Sequence, residues 1–548
     1  MKNYLLLGIV VIVAIFFRFW QLGDVPASPD WDEAALGYNA YSIMQTGKDE
    51  YGKFLPVVLR SFDDYKPALY AYFIIPFIKI FDLSVLSVRL PSAVFGVLTV
   101  VATFFLVKEL FDQKKYFYLP FLASFLLAIS PWHVQFSRIG FESNVGVAFN
   151  VFAVLFFILG LRKNRYILFS VFLMAVNLYI YQSEKVFTPL IAIVLLFIFR
   201  KEFFLIPKKV IGCAVLIGLV TIIPLLGYTL TSKEVFARAK GVSVFSDQTS
   251  FLKSNAQRIQ KDKENRDYFG LIIDNRRLLY VKSIFSGYLS HYDLNWLFLK
   301  GDIARHHAPN MGLLYLFELP FLFIGVFNIV FGSIQKKTKQ LLLGWFLLAP
   351  IPASITSGVP HAVRTLNFLP TFQIFVALGI ISFVIIVNEN ISSIFRKIVL
   401  SLIAVLVVFN ILFYLDQYFV QQNYFNSKEW QYGYSQTVSF IDKNQQKYNN
   451  IVVTNEGPLD QSYMFFLFYL KYQPLLYLLE TKDASGGFRE NHSFGKFHFR
   501  PIDWAREIKD SETLFVGRPQ DFPNEVNSVL TVNYLDGQPA IKVVKGSQ

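Results

Sequence analysis

The stretch Pro29–Pro67, PDWDEAALGYNAYSIMQTGKDEYGKFLPVVLRSFDDYKP, and the run Ala68–Phe81 that follows it, ALYAYFIIPFIKIF, decide how the rest of the chain is read. The first part crowds Asp30, Asp32, Glu33, Asp49, Glu50, Asp63 and Asp64 together with Lys48, Lys53, Arg60 and Lys66 between strongly apolar neighbours. Ionisable groups beside hydrocarbon are costly, so such an island marks a catalytic, transport or ligand-binding position unless it is an ordinary solvated loop. The second part is apolar but carries Pro76 and Lys79. Whether it crosses a membrane sets the sidedness of everything after it.

A chain of 548 residues that is 54% hydrophobic and 17% aromatic, with mean hydropathy +0.42, is too apolar for a soluble protein of this length. It reads as a polytopic α-helical membrane protein. The formal net charge of +13 does not imply nucleic acid, because Lys and Arg sit in small clusters between apolar runs, as cytoplasmic loops require. The one cysteine, Cys213, lies in an apolar run and excludes an intramolecular disulfide. Lys2 and the apolar run to residue 22 resemble a signal peptide, with Val25-Pro26-Ala27 as a weak cleavage site. Cleavage there would strip the island of its first helix, so the segment is read as an uncleaved anchor.

Apolar segments suited to spans lie at 4–22, 67–82, 90–107, 116–135, 144–161, 165–182, 186–199, 209–230, 311–334, 339–356, 364–387 and 397–415. The basic clusters at Lys2, Lys108–Lys115, Arg162–Arg165, Arg200–Lys209, Lys336–Lys339 and Arg396-Lys397 belong in the cytoplasm. If 67–82 crossed, Lys114, Lys115, Arg162 and Arg165 could not share a side with Lys2. The segment is therefore expected to be a re-entrant or interfacial helix with Pro67 in its first turn. About eleven crossings remain, with the amino terminus inside. The loops 23–89, 136–143, 231–310 and 357–363 and the whole carboxyl-terminal region then share the extracytoplasmic face.

Two regions are expected: a transmembrane domain over residues 1–416 and a small extracytoplasmic α/β domain over 417–548. The latter has a helical stretch at Lys428–Asn444 and strand-like runs at Ile451–Thr454, Thr513–Val516, Val529–Asn533 and Ala540–Val544, with turn signals such as Ser485-Gly486-Gly487. It contains no Gly-rich phosphate fingerprint, metal-spaced Cys/His set or nucleophile elbow, so its expected role is binding or support. Within the island, Asp32–Thr46 reads as an amphipathic helix with Leu36, Ala40, Ile43 and Met44 on one face and Gly47 as its stop. Asp30 and Glu33 have the spacing of a capping box, and Asp32 can complement the helix dipole.

Three polar groupings share the outer face: the island, Arg138 and Glu142 in SPWHVQFSRIGFESN, and Asp302 with Arg305-His306-His307 and Pro360–Arg364. Each has a purely structural alternative. Arg138 and Glu142 can pair at i,i+4, and His361 and Arg364 can snorkel at a helix start. Together, in order and sidedness, the groupings resemble the GT-C membrane glycosyltransferases, in the branch of protein O-mannosyltransferases and lipid A aminoarabinose transferases. The landmarks are Asp32-Glu33 after the first span, Lys66-Pro67, RLPSA at Arg89–Ala93, SPWH with SRxxFE at Ser130–Glu142, and PHAxR at Pro360–Arg364.

The resemblance implies a GT-C-like fold and transfer of a sugar from a polyprenyl-phosphate donor to a hydroxyl of a protein, lipid or glycan acceptor, with inversion. It implies Asp32 as base, Glu33 and Glu142 as further catalytic carboxylates, and Lys66, Arg138, Arg305, His361 and Arg364 at the donor phosphate. Tyr38, Asp64, Tyr65, Asp302 and His306 are secondary substrate-binding candidates. The aminoarabinose branch continues its acidic pair with Arg-Tyr where Ala35 and Leu36 stand here, so the acceptor class does not carry over. No cofactor is assigned; a divalent metal is compatible but not indicated. Membrane lipids are expected partners, nucleic acid is not, and a bacterial or archaeal plasma membrane is the expected location. The competing reading is a lipid or polysaccharide transporter, but transporters place their ionisable groups near the bilayer midplane, and these sit at one outer face.

Overall fold

The computed structural model describes residues 2–232, 243–245, 249–481 and 490–547. Part of the outer loop 231–310 and the turn Ser485-Gly486-Gly487 lie outside the described residues. The chain opens with α1 (Lys2–Phe19), α2 (Trp31–Thr46), the hairpin of β1 (Val58–Ser61) and β2 (Asp64–Pro67), α3 (Leu69–Phe81), α4 (Val85–Leu110), α5 (Leu119–Ile129), α6 (Pro131–Ser137) and α7 (Glu142–Gly160).

Among the described residues, five helices are long and apolar enough to cross a membrane: α4, α7, Lys208–Thr231, Leu366–Asn390 and Ser393–Asn426. The pair α5 and α6 makes a sixth if counted as one span bent by 59°. The bend falls at Pro131, which lacks the N–H to continue α5 but suits the first turn of α6. Shorter apolar helices occupy Leu5–Phe19, Leu69–Phe81, Arg165–Asn177 and Glu318–Phe331.

At 13 residues, α3 is about 20 Å long, too short for a hydrocarbon layer of about 30 Å. Its start is tied to the island hairpin, and Asp82 at its end is ion-paired with Lys471 of the carboxyl-terminal region. Its two ends thus meet the island and the carboxyl-terminal region. Pro67 is not in its first turn; it closes β2 opposite Val58.

The capping box forms as the spacing predicts: Asp30 accepts from the Glu33 N–H at 2.9 Å and donates its own N–H to Glu33 at 3.3 Å. Gly47, at φ 73°, ends α2 with its N–H on the Ile43 carbonyl. The amphipathic reading of α2 fails, because every residue from Glu33 to Ala40 is buried. The carboxyl-terminal region covers the face that was expected to meet solvent. At Gly37 a Cβ would come within 2.7 Å of both Val88 and Phe468, so only glycine permits this sandwich.

The composition change near residue 417 is not a structural break, since the last long helix runs on through Asn426. The helix expected from Lys428 begins at Tyr434 and ends at Asn444. A mixed sheet follows, of β3 (Asn450–Val453), β4 (His492–Phe494), β5 (Phe497–Phe499), β6 (Thr513–Gly517), β7 (Leu530–Asn533) and β8 (Pro539–Lys545). Its spatial order is β4-β5-β3-β6-β8-β7, with β3 parallel to β5 and β6. Its main apolar core, including Phe465, Phe497 and Ile541, is continuous with that of the membrane helices.

Candidate active site

The island, the α6–α7 turn and two outer loops enclose a cavity of about 230 Å³. The start of α2 supplies Trp31 and Asp32, the hairpin Asp64 and Lys66, α7 Glu142, and the two loops Arg305, His306, His361 and Arg364. Side chains alternate along a strand, so Asp64 and Lys66 reach the cavity together while Tyr65 between them does not line it. The ladder places Lys66 opposite Leu59 and Asp64 opposite Ser61, another lining residue.

Lys66 is ion-paired with Asp32; their side chains are 10% and 29% exposed. Asp32 lies in the first turn of α2, where the helix dipole favours a negative charge. Asp30 is behind it and accepts from Arg305 Nη1 at 3.0 Å. Burial, reinforced by the Asp32 charge, pushes the Asp30 carboxyl up to about 7 despite Arg305. The Arg305 guanidinium also lies over the Trp31 ring, 4.1 Å from its centroid. Arg364 donates to Thr356 Oγ1 at 2.6 Å and to the Ser357 carbonyl at 2.8 Å.

The loop carrying Asp302 and His306 is tightly wound. Gly301 takes φ 69°, and the His307 ring packs so close that a Cβ at Gly301 would meet it at 2.6 Å. His306 Nδ1 lies 2.9 Å from Asp302 Oδ2, which also accepts the Ala362 N–H at 2.6 Å. Burial raises the Asp302 carboxyl, but His306, the Ala362 N–H and His361 outweigh it and hold it down at about 2. Burial lowers His306, with Asp302 opposing; burial, then the charges of Arg364 and His306, lower His361 much further.

The structure leaves five of the sequence candidates out of the cavity lining: Tyr65 and Asp302 lie beside lining residues without reaching it, and Glu33, Arg138 and Tyr38 turn away. Glu33 is fully buried and takes two bonds from Arg89, at 2.9 and 3.0 Å, and one from the Gly140 N–H at 2.7 Å. Arg138 is fully buried and donates to the carbonyls of Phe17, Gln21 and Val25, beneath Tyr418 and Phe419. Tyr38 turns to the carboxyl-terminal region, donating to the Tyr472 carbonyl at 3.1 Å. Each sits on an element that contributes to the site, but its side chain points into protein. Trp31 and Tyr181 line the cavity without having been singled out, and no charge or motif distinguishes them from other interfacial aromatics. A larger cavity of about 700 Å³, between the end of α2 and Gln473–Thr481, holds Lys48 and Glu50 but none of the converging groups.

Residues 65–228 match the family model of dolichyl-phosphate-mannose-protein mannosyltransferases. Comparison with curated protein sequences returns no match. Among solved structures the chain is similar to ArnT from Cupriavidus metallidurans bound to undecaprenyl phosphate. That likeness has a TM-score of 0.54 and 11% identity, over 100% of this chain and 98% of that one. It is also similar to the oligosaccharyltransferase AglB from Archaeoglobus fulgidus, in complex with an inhibitory peptide and a dolichol-phosphate. There the TM-score is 0.50 and the identity 13%, over 85% of this chain. This chain spans 64% of the length of AglB. Both are GT-C glycosyltransferases, and the chain has their fold, with a small sheet domain at its carboxyl end.

Proposed function

We propose that this protein transfers a sugar from a polyprenyl-phosphate donor to an acceptor hydroxyl at the extracytoplasmic face of a membrane, inverting the anomeric carbon. One observation carries the reading: the carboxylates of Asp32 and Glu142 and the cations of Lys66, Arg305 and Arg364 line a single cavity. Transfer from a lipid phosphate needs both kinds of group, a base for the acceptor proton and cations for the departing phosphate.

Without donor, the Lys66 ammonium is paired with the Asp32 carboxylate. A donor phosphate reaching Lys66 shares that cation, and the Asp32 carboxylate turns to the acceptor hydroxyl. The acceptor oxygen attacks the anomeric carbon as its proton passes to Asp32. The bond from that carbon to phosphate oxygen breaks, and the electron pair leaves with the polyprenyl phosphate toward Lys66, Arg305 and Arg364. Glu142, at the start of α7, orients the acceptor or the sugar. Glu33 and Arg138 are positioning residues: the first locks the start of α2 to α4 through Arg89, the second clips α6 to the end of α1.

The fold likeness supports this reading, as do the undecaprenyl phosphate and dolichol-phosphate bound by ArnT and AglB. The test incubates purified protein in lipid nanodiscs with polyprenyl-phosphate sugars labelled in the sugar. Release of unsubstituted polyprenyl phosphate with appearance of label in acceptor or water is expected. Flux of intact donor across a sealed bilayer with no bond cleavage would establish a transporter instead.

A further inference from the structure

The wall of the cavity formed by the two outer loops holds a group of side chains whose arrangement phosphate binding does not explain. A carboxylate oxygen of Asp302 and one ring nitrogen each of His306 and His361 lie within 4.8 Å of one another. Among the described residues this is the one group of three or more such side chains that close. His306 and His361 both line the cavity, their ring centroids 5.3 Å apart.

A structural clip between the loops accounts for part of the group. Asp302 joins them by accepting from the Ala362 N–H and meeting His306. The clip does not account for His361, whose Nδ1 is buried with no hydrogen-bond partner. Its backbone is fixed, the N–H facing His291 Nε2 at 3.2 Å and the carbonyl accepting from Thr365 at 2.8 Å. A held imidazole with an unused buried nitrogen, beside a second imidazole and a carboxylate, is the donor set of a metal site.

We propose that Asp302, His306 and His361 bind a divalent transition metal of the zinc class, with its remaining coordination positions open to an anion in the cavity. Two imidazoles and one carboxylate leave a four-coordinate ion one position short, the pattern of reactive rather than structural zinc sites. Nitrogen donors select against magnesium and calcium, which take oxygen ligands. Metal–ligand bonds of about 2.1 Å separate neighbouring ligand atoms by roughly 3.0–3.5 Å, and Asp302 and His306 already stand at that range, 2.9 Å apart. Of the nearby cations, Arg305 is engaged with Asp30, and Arg364 with Thr356 and Ser357. The Ala362 N–H on Asp302 is the outer-shell bond that fixes a ligating carboxylate. That the anion is a donor phosphate rests on the transferase reading; the metal site does not.

The test uses full-length protein without a histidine tag, stripped with chelator and exchanged into chelator-free buffer. Zinc, cobalt and magnesium salts are titrated by calorimetry, with cobalt absorption as a second readout. One zinc per chain is expected, visible d–d bands with cobalt, and no heat with magnesium. His361→Ala removes the imidazole while leaving the backbone bonds that fix this position, and should weaken zinc at least about 100-fold with little change in melting temperature in chelator. If that variant does not fold, His361→Gln and the wild-type cobalt spectrum decide. Absence of stoichiometric zinc, or undiminished affinity without the His361 imidazole, overturns the proposal. Metal binding without sugar transfer would refute the transferase reading alone. Transfer by protein that binds no metal would refute this inference alone.

Discussion

The Lys66 ammonium, at the end of β2, is ion-paired with the Asp32 carboxylate in the first turn of α2, joining two elements of the island across 34 residues of sequence. Lys66→Ala is expected to weaken donor binding by about 2–5 kcal/mol if the contact is desolvated. Equilibrium binding of a labelled donor to wild type and variant measures this. Unchanged affinity would move the phosphate contact to Arg305 and Arg364.

Glu33 and Arg89 form a second pair of a different kind, with both side chains wholly buried. Removing one partner of such a pair leaves a buried charge uncompensated, which costs about 3–5 kcal/mol. Glu33→Gln should therefore lower the melting temperature and the yield of folded protein. Turnover per folded molecule should fall less than for a change at Asp32. A large loss of turnover at full thermal stability would restore Glu33 as a group that acts on substrate.

The contrast between these pairs marks what the sequence could convey. Asp30 and Glu33 at three-residue spacing and Gly47 after the last helical residue are local signals, and the capping box and the helix stop were legible from them. Partnerships across the fold were not. Arg89 was visible only as part of RLPSA, and nothing in that motif says its guanidinium reaches Glu33. Arg138 looked like an outer-face cation because it falls with Glu142 in the polar turn SRIGFE between two apolar runs, yet its side chain turns inward to carbonyls near the end of α1. In the carboxyl-terminal region, the continuous apolar run at Ser462–Leu470 has no usable period, and β4 and β5 have three residues each. The docking of that region on α2 was hidden with them.

Glu50, at the far end of the island, accepts from Asn39 at 2.8 Å, and burial pushes its carboxyl up to about 8. The folded protein therefore holds a proton that the unfolded chain releases near 4.5. With the folded value above the unfolded one, the stabilisation is full below about 4.5 and is lost as pH rises toward 8. Melting temperature should fall between pH 6 and 9, by the equivalent of about 2–4 kcal/mol. Glu50→Gln, which keeps the amide contact without a titrating proton, should flatten the profile. A wild-type profile already flat over that range would show that Glu50 is ionised in the fold.

The sidedness of α3 can be read by labelling. Cys213 is the sole cysteine and is exposed, so Cys213→Ala gives a clean background for single cysteines at Ser84, Ser254 and Asn164. Impermeant maleimide should label Ser84→Cys and Ser254→Cys from outside, and Asn164→Cys only once the inner face is opened. Labelling of Ser84→Cys from the inner face alone would mean that α3 crosses.

Asp32 and Asp30 are two residues apart at the start of α2, and their environments predict opposite outcomes for the same change. Asp30 is fully buried and caps the helix while taking Arg305, so Asp30→Asn should act mainly on stability, where loss of a cap costs about 0.5–2 kcal/mol. Asp32 lines the cavity and is paired there with Lys66. Asp32→Asn keeps its size but removes basicity together with the charge that pairs with Lys66. Turnover should fall on the order of 100-fold to 10,000-fold, with donor affinity and melting temperature changed far less, because the main loss lies in the transition state. Measuring sugar transfer, donor binding and melting on both variants separates base from cap. Near-normal transfer by Asp32→Asn would remove Asp32 as the base and leave Glu142, the other carboxylate at a helix start in the cavity, as the group to test.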